Sequence, residues 1–230
     1  MTDLAGKRIL VTGATGALGS RIATLLAGAG SQLVLTGRDA QKLQDLGLNA
    51  ELFTLDLAQP GAAASLVHTA ASAGQLDGIV IAHGVVAFGP VAELDPETVN
   101  TLTVLNQTSA IELLRAAIPA LQAAKAAGSE PFVLTISGVI ADMPTAGMAA
   151  YGASKAGLKA FVSATQRELR REGIRVVDTR PPHTETGLAG RAIAGVAPAM
   201  PQGLDPDAVA VRILTAITTD EKDVPAESFA

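Results

Sequence analysis

The chain contains no cysteine, which removes disulfides, thiolate metal ligands and cysteine nucleophiles together. Tryptophan is absent too, and one tyrosine and five phenylalanines make up the whole aromatic complement. So few rings leave little on which nucleic-acid bases could stack. A net charge of −5 and a pI near 5.2 point the same way, because a phosphate backbone selects basic surfaces. Nucleic acid is therefore not an expected partner. The sequence also lacks any uninterrupted apolar stretch of the about 20 residues a membrane-spanning helix requires. Its N-terminus carries Asp3, Lys7 and Arg8 instead of a basic start, an apolar run and a cleavage site. A soluble, unexported, cytoplasmic protein with no membrane partner is expected.

What is abundant is apolar side chain: 48% of 230 residues, enough for the core of one large domain. Short β-rich runs alternate with longer Ala- and Leu-rich runs of helical length. That alternation argues for a parallel sheet covered on both faces. Strands are read at 8–12, 32–36, 50–55, 78–82, 132–137 and 174–178. Helices are read at about 17–29, 39–46, 60–73, 97–127 in two pieces, 148–172 and 205–218. Asp39 and Asp205 stand where N-caps are useful, and Pro206 suits a first helical turn. No linker, repeat or composition shift divides residues 1–230. The expectation is a single α/β domain, a three-layer α-β-α arrangement around a doubly wound parallel sheet of six or seven strands.

In such a sheet the ligand crevice lies beyond the carboxyl ends of the strands. After the first strand the chain reads Thr12-Gly13-Ala14-Thr15-Gly16-Ala17-Leu18-Gly19. This is a glycine-rich turn opening a helix, whose free N–H groups and dipole favour a pyrophosphate. After the second strand comes Thr36-Gly37-Arg38-Asp39. An acid there would bond the free ribose of NAD, whereas an arginine pairs with the extra 2′-phosphate of NADP. Arg38 favours NADP; a solvated arginine at a helix start is the plainer alternative, and Asp39 beside it cuts against the preference. Asp56, after the third strand, is placed either to accept from an adenine amino group or to cap the next segment. After the fourth, Gly84 lets the backbone pass close to a cofactor, and His83 is either a general base or incidental.

One pair carries chemistry. Tyr151 and Lys155 lie four residues apart, so a helix stacks phenol under ammonium. Ionising a phenol near neutrality means lowering its pKa by about 3 units, roughly 4 kcal/mol. One cation about 4 Å away supplies about that much at an effective dielectric of 20.

With these parts in place the chain resembles the short-chain dehydrogenase/reductase family, whose members share a single-domain Rossmann fold, over about residues 5 to 215. The family's Tyr-x-x-x-Lys matches Tyr151 and Lys155, and its adenine-binding Asp matches Asp56. Its helix asparagine, which holds a proton-relaying water, matches Asn106. Its Pro-Gly-x-x-x-Thr segment over the nicotinamide resembles Pro181-Pro182-His183-Thr184-Glu185-Thr186. The resemblance implies that Gly13, Thr15, Gly16, Leu18, Gly19, Arg38, Asp56, Leu57, Ala82, Gly84, Tyr151, Lys155, Pro181, Thr184 and Thr186 hold the cofactor, NADP(H) in preference to NAD(H). It implies an oxidoreductase interconverting a carbonyl and an alcohol, with Tyr151, Lys155, Asn106 and Ser137 as catalytic residues. It also implies a homodimer or homotetramer through the Ala- and Leu-rich helices around 111–121 and after Tyr151, although a helix buried within one chain would look similar.

Several positions depart from the family. Its catalytic serine falls at Gly138, with Ser137 one residue early. That offset turns a strand side chain to the opposite face unless a bulge restores its aim. Thr135, Thr145 or a water are other donors. The turn reads Gly-x-x-Gly-x-x-Gly, a spacing nearer to extended, sugar-nucleotide members. An Asn-Asn-Ala-Gly brace is replaced by Ile81-Ala82-His83-Gly84, and Pro182 replaces a glycine. The glycine-rich ending is missing from 220–230, which puts the seventh strand in question. Residues 183–204, rich in Ala, Gly and Pro, read as a mobile substrate lid. Leu188, Ile193, Val196 and Met200, with Val85, Val86, Phe88, Met143 and Met148, would line an apolar pocket or belong in part to the core. Arg191 would meet an anionic group or stay solvated. A small or medium apolar ketone or alcohol is the expected substrate. A nucleotide-binding regulator with weakened turnover, or a sugar-nucleotide epimerase or dehydratase, are the other classes, the latter disfavoured by the chain's length.

Overall fold

Seven strands form one parallel sheet in the order β3-β2-β1-β4-β5-β6-β7 in this computed structural model, which describes residues 2–229. They are β1 (Arg8–Thr12), β2 (Gln32–Gly37), β3 (Ala50–Thr54), β4 (Gly78–Ile81), β5 (Phe132–Ile136), β6 (Arg175–Thr179) and β7 (Asp223–Val224). The helices between them are α1 (Ala17–Gly28), α2 (Ala40–Gln44), α3 (Ala62–Ser72), α4 (Pro96–Thr103), α5 (Ser109–Ala126), α6 (Ala149–Leu169) and α7 (Pro206–Thr218). Strand order reverses between β1 and β4, which makes that junction the switch point where a ligand is received.

Strand side chains alternate between two apolar clusters because successive residues face opposite sides of a sheet. Leu10, Ile79, Ile81, Val133 and Val176 join α3, α5 and α6 on one side. Ile9, Val11, Val80, Leu134 and Val177 join α1 and α7 on the other. Both faces are covered, so the central strands are mainly apolar and buried along nearly their whole length.

Three expectations change. The questioned last strand is present, and the two residues of β7 pair parallel with β6, Asp178 opposite Asp223 and Thr179 opposite Val224. The two pieces foreseen over 97–127 are joined, because a π-helical segment, Val104–Thr108, carries α4 directly into α5. The fifth strand stops at Ile136, one residue short of Ser137. Among the described residues no helix is long and apolar enough to cross a membrane.

The 183–204 segment is tied at both ends of its excursion. Its base closes through a Thr184–Leu204 bridge, with Leu204 N donating to His183 O at 2.8 Å. Its middle bonds the loop after β4: Ile193 N donates to Val86 O, and Phe88 N to Ala194 O, both at 2.9 Å. A Cβ at Gly195 would come within 1.9 Å of Phe88 O, so glycine is what permits this approach. Val86 and Phe88 are accordingly buried, while Met143 and Val196 are 65% and 89% exposed.

Candidate active site

The glycine-rich turn follows from packing as much as from backbone freedom. Gly13 has φ +66°, and a Cβ there would meet the His83 backbone at 2.7 Å; a Cβ at Gly19 would come 2.1 Å from Gly13 O. Chain and helix therefore approach as only glycines allow. Helix α1 opens at Gly16 with no side chain bonded to its first N–H groups and no acid in its first turn. Thr15 lies against Gly37, where a Cβ would be 3.0 Å from the threonine hydroxyl. Leu18 packs at the edge of the α1-side core. An uncapped, acid-free helix end facing a close-packed turn fits the diphosphate of a dinucleotide.

Next along the crevice, Asp39 accepts from Lys42 N at 3.1 Å and caps α2. Arg38 beside it is exposed and has no hydrogen bond or ion pair among the described residues. The acid is thus committed to the helix and the cation is free. Asp56 Oδ1 accepts from Ala58 N at 3.0 Å, so one oxygen closes a turn. Leu57 is buried in the α3-side core, and Ala82 packs against the opposite one.

Helix α6 presents Tyr151 and Lys155 one turn apart, next to the ends of β4 and β5. Lys155 is 7% exposed, and its Nζ donates to Ile136 O at 2.8 Å. A Cβ at Gly84 would sit 3.4 Å from that amine and 2.8 Å from Asn106 Oδ1. Asn106 lies in the π-helical segment, a local widening that recurs at functional sites. Its amide clamps Val85, accepting from Val85 N at 2.8 Å and donating to Val85 O at 2.9 Å. The remaining N–H reaches Ser154 Oγ at 3.0 Å, and Ser154 in turn donates to Tyr151 O at 2.7 Å. Asn106, Gly84, Lys155 and the first turn of α6 are therefore one assembly. Burial pulls Lys155 down to about 8, opposed by the charge of Asp178. Burial pushes the Tyr151 phenol up to about 12.

His83 is a brace. Its Nδ1 pairs with Thr12 Oγ1 and its Nε2 with Ser109 Oγ, both at 2.8 Å, linking β1 to α5. Burial, then the Lys155 charge, pushes it down to about 3. With both nitrogens occupied and the ring neutral, the general-base alternative has no support.

Ser137 corrects an expectation. Its hydroxyl is fully buried and donates to Asp178 Oδ2 at 2.6 Å. Thr135 does the same to Oδ1 at 2.7 Å. Positions 135 and 137 share a face of the strand path, and both hydroxyls meet the one Asp178 carboxylate. Gly138 offers no side chain, and its φ of +77° and ψ of 160° suit glycine. Thr145 is exposed and bonds Met143 O. Pro181 is buried and accepts from Val139 N at 3.1 Å. Thr184 Oγ1 donates to Pro182 O, while Thr186 holds the turn that Arg191 folds onto at 3.2 Å. Arg191 is thereby used locally.

Asp178, Arg180 and Ser154 were not anticipated. Ser154 carried a signal, standing between the paired residues; Asp178 was readable only as a polar residue ending an apolar strand.

Known proteins similar to this chain identify its family. The family model for the short chain dehydrogenase matches residues 7–196. The bovine Dehydrogenase/reductase SDR family member 7B is 27% identical over 237 residues, 94% of this chain and 72% of that protein. The 3-oxoacyl-(acyl-carrier-protein) reductase FabG of Escherichia coli K12 is 30% identical, with 86% of this chain and 83% of that protein covered. Among solved structures, a short-chain dehydrogenase from Sphingobium yanoikuyae in complex with NADPH superposes with a TM-score of 0.86 at 26% identity, covering 95% and 87% of the two chains. With the family model matching residues 7–196, most of its length, this chain belongs to the short-chain dehydrogenase family.

Proposed function

We propose that the protein is an NADP(H)-dependent oxidoreductase that interconverts a carbonyl and an alcohol, with Tyr151 transferring the proton. The observation that carries this reading is the placement of Lys155. Its amine is buried, fixed on the Ile136 carbonyl, and packed beside Gly84 and Asn106, one helical turn from the chain's one tyrosine. The nicotinamide, when bound, supplies or accepts the hydride. Gly13 through Gly19 hold the diphosphate at the open end of α1, and Arg38 pairs with the 2′-phosphate. Lys155 anchors the ribose and stabilises the tyrosinate as it forms.

Protonation favours one direction. A phenol pushed up to about 12 is protonated at neutral pH and ready to donate to a carbonyl oxygen, so reduction starts from the resting state. Oxidation of an alcohol first needs the tyrosinate, which only the Lys155 cation and the cofactor's positive ring can stabilise. The test is carbonyl-dependent oxidation of NADPH across a panel of apolar and polar ketones and aldehydes, with NADH in parallel. Turnover with NADPH on some member supports the reading, and none on any member removes it.

Gly138 favours a second reading. With no hydroxyl at that position and Ser137 bound to Asp178, one donor to the developing oxyanion is missing, a loss of about 10²–10³ in rate. A nucleotide-binding regulator of the same fold would then bind NADPH tightly and consume none with any carbonyl.

A further inference from the structure

Beside the Tyr151–Lys155 pair lies a buried acid that the proposed reaction does not use. Asp178, at the end of β6, is 2% exposed. Its carboxylate takes Thr135 Oγ1 at 2.7 Å, Ser137 Oγ at 2.6 Å and Arg180 Nη1 at 3.1 Å. The residue between those two donors is Ile136, whose carbonyl holds the Lys155 amine at 2.8 Å. Register places Thr135 opposite Asp178 and Ile136 opposite Thr179, so acid and lysine grip three consecutive residues, 135–137, where β5 ends.

Asp178 shares Arg180 with two other acids. The guanidinium also forks onto Asp223 at 2.6 and 2.9 Å and lies 2.5 Å from Asp142 Oδ2. Lys159 pairs with Asp142 from α6. Of the three acids that share Arg180, only Asp178 is buried: Asp142 and Asp223 have side chains 31% and 60% exposed, and Asp142 also has Lys159. The other groups near Lys155 carry no charge: His83 is neutral with both nitrogens bonded, Tyr151 is a phenol, and Asn106 is an amide. Asp178 is the charged group that opposes loss of the Lys155 proton.

We propose that Asp178 is a positioning residue: its buried carboxylate keeps Lys155 charged and braces the end of β5 on which the amine rests. The proposal builds on the reading of Lys155 as the cation beside Tyr151, but its test does not need turnover. Burial pulls the Lys155 amine down, and the charge of Asp178 opposes that fall. Burial also raises Asp178, and the bonds from Ser137, Thr135 and Arg180 hold it back.

The experiment is a side-chain nitrogen NMR titration of the full chain, selectively labelled at its six lysines, with Lys155 assigned by loss of its signal in Lys155→Met. In Asp178→Asn the Lys155 midpoint is expected to fall by about 1–2 pH units, and in Asp178→Glu to stay near the parent value. An unchanged midpoint in a folded Asp178→Asn overturns the proposal. If turnover is measurable, its alkaline limb shifts with the midpoint, whereas a merely structural role lowers kcat with the limb in place and counts against the proposal. A shifted midpoint with no turnover in any variant supports Asp178's role while the proposed reaction fails. Should Asp178→Asn not fold, the parent protein decides: Lys155 must be mostly protonated at neutral pH, and a neutral amine there overturns the proposal.

Discussion

Replacing Gly138 by serine returns a hydroxyl to the position where the family's pattern has one, and the structure says what that costs. Gly138 has φ +77° and ψ 160°, a region occupied almost only by glycine, where a side chain costs about 1–3 kcal/mol. Contact adds nothing to that figure, because the nearest atom to a Cβ there is Pro181 O at 4.0 Å. Relaxation is opposed by the chain itself. Gly138 N donates to Thr179 O at 3.2 Å, and Gly138 O accepts from Ala141 N at 3.0 Å. The penalty is therefore conformational, and Gly138→Ala should pay it in the same measure as Gly138→Ser. For a chain of this length each kcal/mol lowers the thermal midpoint by about 2–4 °C. Both variants are expected to melt lower by similar amounts, and the serine variant should not gain the roughly 10²-fold that a well-placed oxyanion donor provides. Thermal melts paired with NADPH-consumption rates check this. A serine variant as stable as the parent and about a hundredfold faster would refute the reasoning.

Arg38→Gln removes a charge-assisted contact worth about 1.5–3 kcal/mol, so NADPH should bind roughly 10- to 150-fold more weakly in fluorescence titrations while NADH binding is unchanged. Gly13→Ala combines left-handed strain with a 2.7 Å clash on the His83 backbone. It should lose about 2–4 kcal/mol in denaturation and weaken either cofactor. His83 supplies an acid sensitivity, since its folded pKa is depressed from 6.5 to about 3. Its unfolded form takes up a proton that the folded form refuses. The stability it contributes is present above pH 6.5 and is lost as pH falls toward 3, by about 1.4 kcal/mol per pH unit. Melting curves across that window should slope more steeply in the parent than in His83→Asn.

Much of the site could be read from the sequence because its parts are local. Tyr151 and Lys155 share one helix, and the glycine turn is continuous in the chain, so spacing alone places their groups. Central strands announce themselves as apolar runs because both faces are covered. The features that escaped depend on register between distant segments. Asp178 acquires its meaning from Thr135 and Ser137 across a strand pairing and from Asp142 and Asp223 through Arg180. Strand β7 has no β-rich run to mark it, and its pairing comes from the edge that β6 presents. His83 looks like an isolated loop histidine until Thr12 and Ser109, 71 and 26 residues away, close on its ring. Strand parity already set Ser137 and the serine position on opposite faces; the structure adds the carboxylate that holds Ser137 there.

The most direct test of the central claim is Tyr151→Phe, which deletes one oxygen from the chain's one tyrosine and leaves the ring to pack. NADPH binding should remain within about twofold of the parent, while carbonyl-dependent NADPH oxidation should fall by at least the 10²–10⁴ that a general acid contributes. Full turnover in that variant would contradict the account.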